Sequence, residues 1–243
     1  AADHVKKNGS RLHLAGLVSN GGVHSSEEHL YALLALASDQ GAKDVFVHMF
    51  TDGRDTPPKA AGESLDRLNR KFLEIGVGKV ATMSGRFYAM DRGGHWEVTE
   101  QAYKAMTMGI GERAASPREA LLGYYERQIF DETLPPTVIC DRAGEPLAKI
   151  QDGDAVIFFN FRPDRILQLA KAFTLPDFDK FSRANPPLKN VYYATMTEYE
   201  KNLPAEVAFD TDDIKNGLSE IVSRQGWTQY HIAEREKYAH VTS

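Results

Sequence analysis

Apolar, β-branched runs alternate with helical periodicities along nearly the whole chain. Residues 12–19 (LHLAGLVS), 45–50 (VFVHMF), 79–84 (KVATMS), 154–161 (DAVIFFNF), 191–196 (VYYATM) and 228–234 (TQYHIAE) read as strands. The run DAVIFFNF is apolar without alternation, the mark of a strand covered on both faces. Between the strands lie helical patterns. In SSEEHLYALLALASDQG, Ser25 stands as N-cap with Glu28 three residues on, a capping box that satisfies orphan amide donors. Leu30, Leu33, Leu34 and Ala37 follow at i, i+3, i+4 and i+7, and Gly41 suits the C-terminal cap. Further helices are expected over 57–75, 95–109, 116–130 and 163–173; Pro57 and Pro117 sit in first turns, where proline is tolerated. A last helix, in TDDIKNGLSEIVSRQG, carries Ile214, Leu218, Ile221 and Val222 on one stripe.

Strands alternating with helices predict an α/β fold: a mixed, largely parallel sheet, open or curled toward a barrel, flanked by helices. No stretch is rich enough in Gly, Ser or Pro to divide the chain, so residues 1–243 read as a single domain. Residues 131–153, read as hairpin or irregular structure, and the Pro-rich 174–190 read as insertions. Composition adds exclusions. No apolar run approaches the roughly 18 residues that span a bilayer, and AADHVKKNGS lacks the apolar core of a secretion signal. One cysteine, Cys140, excludes an internal disulfide and fits a reducing cytoplasm; within TVIC it reads as core. A formal net charge of −5 argues against nucleic-acid binding by bulk electrostatics.

The polar chemistry collects after the strands. In open α/β sheets ligands sit beyond the carboxyl ends of the strands. His24 follows the first strand in NGGVH, and Arg54 and Asp55 follow the second in TDGRD. Arg86 and Arg92 follow the third in SGRFYAMDRGG, Arg162 and Arg165 follow FFNF in NFRPDR, and Lys237 follows the last in EREKY. Parallel strands would gather these six fixed cations at one edge of an acidic protein. Two like charges 4 Å apart repel by about 4 kcal/mol at an effective dielectric near 20, so the cluster needs anions. Asp52, Asp55, Asp91, Asp164 and Glu236 are near in sequence and can supply some. Arginine suits two-point recognition of carboxylate and phosphate, which points to a small, multiply anionic ligand.

Each piece alone has a plainer reading. TDGRD is a turn former, FRPDR a helix start, His24 a loop histidine, and Lys237 one side of an exposed ion pair worth under about 1 kcal/mol. Recurrence at successive strand ends favours a site. Other chemistries fit poorly: no GxxxxGK[ST] loop, HExxH, paired CxxC or GxSxG occurs, and GIGERA at 109–114 comes after a helical pattern instead of a strand.

SNGGVHSS, HMFTDGRDTPP, SGRFYAMDR, FFNFRPDR and EREKYAHVT, in this order, closely resemble the cofactor-independent phosphoglycerate mutases from about residue 10 onward. That family interconverts 3- and 2-phosphoglycerate, a step of glycolysis, through a phosphoserine. It pairs a phosphatase-like domain, with a serine nucleophile and two divalent metals, usually manganese, with an inserted domain that grips the glycerate. The chain resembles the inserted domain alone. The resemblance implies residues 1–10 and 235–243 as hinge segments to the partner domain, and no metal ligands here; both Mn2+ ions would belong to that partner. It implies substrate contacts from His24, Arg54, Asp55, Arg86, Arg92, Arg162, Arg165 and Lys237. Among these, Arg54, Arg86, Arg92 and His24 would hold the glycerate, Asp55 would move protons, and Arg162, Arg165 and Lys237 would face the phosphoryl group. Asp55, Arg162 and Lys237 are thus the catalytic candidates. The chain by itself is expected to be inactive and cytoplasmic, with no nucleic-acid or membrane partner. Two alternatives are a non-catalytic module sensing a phosphorylated metabolite, and an interaction domain for an acidic protein.

Overall fold

The computed structural model describes residues 1–183, 188–210, 215–234, 237 and 241. The chain divides into two compact units, Ala1–Asp210 and Thr211–Ser243. The first holds every strand among the described residues. In chain order these are β1 (Leu12–Leu17), β2 (Val45–Thr51), β3 (Lys79–Gly85), β4 (Glu112–Ala114), β5 (Thr137–Ile139), β6 (Ala155–Phe158), β7 (Tyr192–Thr195) and β8 (Glu206–Val207). They form one sheet in the order β4-β5-β3-β2-β1-β6-β7-β8. Pairing is parallel throughout except between β3 and β5, so the sheet is mixed, largely parallel and not a closed barrel.

Among the described residues seven α-helices belong to this unit: α1 (Ala2–Asn8), α2 (Glu27–Asp39), α3 (Ala61–Ile75), α4 (Arg86–Ala89), α5 (Trp96–Met108), α6 (Pro117–Glu126) and α7 (Pro163–Thr174). β1 is buried along its whole length, as a strand covered on both faces must be. On one face Leu12, Leu14, Val45, Val47 and Met49 pack with Leu30 and Leu34 of α2, Leu65 and Leu68 of α3, and Leu121 of α6. On the other, Ala15, Leu17, Phe50, Val156 and Phe158 meet Tyr103 and Met106 of α5 and Ile166, Leu169 and Phe173 of α7. The period-2 alternation of β1 and β2 thus feeds two cores, one on each side of the sheet.

Several boundaries differ from the sequence reading. The cap of α2 is Ser26, whose Oγ accepts from Glu28 N at 3.2 Å. Ser25 Oγ instead donates to Leu17 O at 2.5 Å, satisfying a strand-end carbonyl and moving the cap on by one residue. The third helix begins at Ala61 rather than Pro57, and the helix expected to reach 130 ends at Glu126, before Gln128 takes φ 59. The apolar run 154–161 narrows to Ala155–Phe158. Stretch 228–234, read as a strand, forms none, and Tyr230 and Ile232 are exposed. The second unit holds α8 (Leu218–Arg224), which buries no residue, so Leu218, Ile221 and Val222 line no core there; Ile214 lies outside the described residues. Short elements went unread: α1 within residues 1–10, with Val5 buried; β4 inside GIGERA; β5 inside the irregular stretch; and β8. Cys140 is buried, as its TVIC context implies.

A polar chain crosses the middle of the sheet. His13 Nε2 lies 3.1 Å from Asp154 Oδ2, His13 Nδ1 lies 2.9 Å from His48 Nε2, and His48 Nδ1 lies 2.8 Å from Thr82 Oγ1. Asp154 also accepts from the amides of Arg11 and Gln151 at 2.9 and 2.7 Å. An ionised Asp154 fixes the protons: His13 donates to it, His48 donates to His13, and the Thr82 hydroxyl donates to His48. Burial pushes both imidazoles down, so each stays neutral.

Candidate functional site

Four neighbouring parallel strands, β3, β2, β1 and β6, deliver the candidate residues at their carboxyl ends. From β1 the order runs outward one way to β2 and the other way to β6, the switch point where open α/β sheets leave a crevice. His24 lies in the loop after β1. Its carbonyl accepts from Phe161 N at 2.9 Å and Arg162 N at 3.2 Å, which ties that loop to the one after β6. Asn160, at the polar end of the apolar run, accepts from Leu17 N at 2.9 Å.

Arg86 is the centre of the cluster and is only 3% exposed. Its Nη1 donates to Asp52 Oδ1 at 2.7 Å and Asp55 Oδ2 at 2.6 Å, and its Nη2 donates to His24 Nε2 at 2.9 Å. Burial works against its charge, but the bonds to Asp55 and Asp52 outweigh it and raise its pKa. Asp52 is saturated from three sides: it also accepts from Ser19 Oγ at 2.6 Å and from the Arg54 and Asp55 amides at 3.1 and 2.9 Å. Burial favours a neutral Asp52, yet these donors hold the carboxyl below its ordinary range. Its amide bonds shape the TDGRD turn, where Gly53 takes φ 71.

Because Arg86 donates to Nε2, the His24 hydrogen sits on Nδ1. That nitrogen is 3.6 Å from Asp164 Oδ1, beyond hydrogen-bond reach, and has no acceptor among the described residues. Burial, followed by the Arg86 charge, lowers the imidazole to about 4, so His24 is neutral near pH 7. Arg86 Nε is likewise buried without a partner among the described residues.

The remaining arginines surround this centre. Arg92 Nη1 meets Asp164 Oδ2 at 2.8 Å, and Arg162 Nε meets Asp164 Oδ1 at 3.0 Å. Burial would raise the Asp164 carboxyl; its cationic neighbours, Arg162 foremost, win and hold it low. Arg54, half exposed, faces Glu132 at 3.5 Å. Arg165 makes no salt bridge or hydrogen bond among the described residues. Burial first, then the charges of Arg92, Arg86 and Arg54, depress its pKa, which also places these arginines within one field.

His24, Arg54, Asp55, Arg86, Arg92, Arg162 and Arg165 therefore come together. Lys237 belongs to the second unit, where it pairs with Glu234 at 2.9 Å, and Glu236 lies outside the described residues. Asp91, a candidate counter-ion by sequence, is used elsewhere: it accepts from the Gly93 and His95 amides, His95 Nδ1 and Gln168. Sequence reasoning missed Ser19, Asn160 and Glu132. The first two were signalled only by polar residues at the ends of apolar runs, and Glu132 comes from a distant segment. Among the described residues no group of three or more His, Cys, Asp or Glu is placed to hold a metal ion. No helix among them is long and apolar enough to cross a membrane.

Residues 1–201 match the family described as BPG-independent PGAM N-terminus (iPGM_N). The chain belongs to that family. It is 47% identical over 242 residues to a 2,3-bisphosphoglycerate-independent phosphoglycerate mutase of Listeria monocytogenes, covering 100% of this chain and 47% of the relative. A relative of the same name from Moorella thermoacetica is 48% identical over 98% of this chain and 46% of its own length. A crystal structure of Leishmania mexicana phosphoglycerate mutase at low cobalt concentration matches with a TM-score of 0.89 and 31% identity, over 99% of this chain and 45% of that one. The chain thus spans about half the length of the relatives it matches.

Proposed function

We propose that this chain is the substrate-holding part of a cofactor-independent phosphoglycerate mutase, an isomerase interconverting 3- and 2-phosphoglycerate in cytoplasmic glycolysis. The observation that carries the reading is the cation cluster itself. Arg165 is semi-buried and makes no salt bridge among the described residues, with the Asp164 charge too weak to offset burial and three further arginines, beside a neutral histidine whose N–H has no acceptor among those residues. Such a cluster is completed by a small, multiply anionic ligand.

In this reading Arg54 and Arg92, with the His24 Nδ1–H, hold the glycerate carboxylate and hydroxyls. Arg86 has its terminal nitrogens committed and acts through the groups it fixes, Asp55 and His24. Asp55 Oδ2 is held by Arg86, while the other oxygen makes no hydrogen bond among the described residues and faces a substrate hydroxyl as proton acceptor. Arg162 and Arg165 stabilise charge on the phosphoryl group, the role also assigned in this reading to Lys237. The rest of the enzyme, a phosphatase-like domain joined through hinge segments at 1–10 and 235–243, supplies the serine that carries the phosphoryl group. Two Mn2+ ions bound in that domain supply Lewis-acid chemistry. This chain's task is retention: glycerate stays gripped by arginine forks while it turns to present its other hydroxyl.

Turnover in the full-length enzyme tests this. Arg162→Ala lowers kcat by about 100-fold or more, the scale of losing one transition-state donor, with an unchanged circular dichroism spectrum. Near-normal turnover in a folded variant sinks the assignment.

A further inference from the structure

The cation cluster leans on a segment that none of its own loops contains. Residues 131–134, at the start of the irregular excursion, press against the two turns that carry Arg54 and Arg86. A Cβ at Gly53 would lie 2.7 Å from Glu132 N, and one at Gly85 would lie 2.6 Å from Leu134 N, so both turns need glycine to let this segment close in. Gly85 N donates to Leu134 O at 2.8 Å, and Thr51 Oγ1, at the end of β2, donates to Asp131 O at 2.6 Å. Asp131 N donates to Pro58 O at 3.0 Å.

The Asp131 side chain is fully buried and ties two more elements. Oδ2 accepts from Ala61 N at 2.8 Å, serving as the missing cap of α3, whose own cap residue is Ala60 with no capping side chain. Oδ1 accepts from the Tyr125 hydroxyl at the end of α6. One residue thus links the end of β2, the loop before α3, the start of α3 and the end of α6. Its neighbour Glu132 reaches the Arg54 guanidinium.

We propose that the turn 131–134 positions the cation cluster from behind, with Asp131 as the positioning residue that fixes where Arg86 stands against His24, and Glu132 as the residue that aims Arg54. The link to phosphoglycerate rests on the function proposed above; the positioning itself does not. Clamping Gly85 holds the first turn of α4 and so the Arg86 bonds to His24, Asp52 and Asp55.

The His24 imidazole is the reporter. Arg86 is one of the charges that keep it near 4, so loosening Arg86 moves it upward toward the ordinary histidine value. In the full-length protein with 15N-labelled histidine, the His24 signal is identified by its loss in His24→Gln and titrated in wild type, Asp131→Asn and Glu132→Gln. Asp131→Asn raises the His24 midpoint and raises KM for phosphoglycerate by about 10-fold, more than it lowers kcat. Glu132→Gln raises KM by about 3-fold and leaves His24 where it was, because an exposed pair contributes little. If Asp131→Asn does not fold, Thr51→Val removes one tie and gives the same upward movement of His24. An unmoved His24 midpoint in the folded variant overturns the inference, whatever the turnover. Absent turnover in wild type, with His24 moving, overturns the proposed function and leaves the positioning intact.

Discussion

Two polar networks cross the same strands and end differently. In the centre of the sheet, Asp154, His13, His48 and Thr82 form a closed chain in which each linking nitrogen has one partner and the carboxylate faces donors on both oxygens. At the carboxyl edge, about 13 Å along the strands from His13 by the usual rise per residue, His24 Nδ1 and Arg86 Nε are buried without partners among the described residues and Arg165 makes no salt bridge among them. Both regions keep their histidines neutral by burial. The difference is satisfaction. A polar network that uses its donors internally stabilises one arrangement of strands, whereas one that leaves donors over is shaped to accept something. Residue type alone would have nominated His13 and His48 for chemistry as readily as His24.

The contrast breaks most easily at its closed member. Asp154→Ala strips an acceptor from His13 and from the Arg11 and Gln151 amides at once, and lowers unfolding stability by about 3 kcal/mol in urea titrations. A loss below about 1 kcal/mol would erase the distinction between the two networks. At the open member the balance reverses. Arg165→Met keeps the stem and deletes a charge that burial and neighbouring arginines disfavour; under the function proposed above, phosphoglycerate affinity of the full-length protein by calorimetry falls about 10-fold while Tm holds or rises slightly. A lower Tm with unchanged affinity would make Arg165 a structural residue.

A further effect is shared by both regions. His13, His24 and His48 all have native pKa values below the ordinary 6.5, so the unfolded chain binds more protons than the native one in acid. Their contribution is complete above pH 6.5 and is lost as pH falls through the window toward the native values, about 4 for His24. Denaturant midpoints measured from pH 7.5 down to 5 should fall steadily, and less so in His24→Gln. A flat profile would mean that these imidazoles titrate normally.

Much of the arrangement was legible in the chain's own patterning. The strands 12–17, 45–51, 79–85 and 192–195 and the helices between them arise from apolar runs and periodicity, and parallel order carries their trailing loops to one edge. Arg54, Asp55, Arg86, Arg92, Arg162 and Arg165 were accessible because each trails its strand within a few residues. Stretch 228–234 misled because alternation in TQYHIAE states only what a strand would bury, and its Tyr230 and Ile232 are exposed. Ser25 misled by one position because two adjacent serines compete for the cap, and the Leu17 carbonyl took the first.

Local periodicity and the residues trailing each strand were enough to set the α/β class, the largely parallel sheet and which arginines reach its carboxyl edge. Which polar groups are spent and which are left over depends on contacts between distant segments. Arg86 is committed to Asp52, Asp55 and His24, Asp91 is diverted to the 93–95 turn, and a segment 80 residues from Thr51 braces both arginine turns. Those outcomes are set by distances between residues remote in the chain, and a hydrogen bond is decided within a few tenths of an ångström that no spacing in sequence encodes.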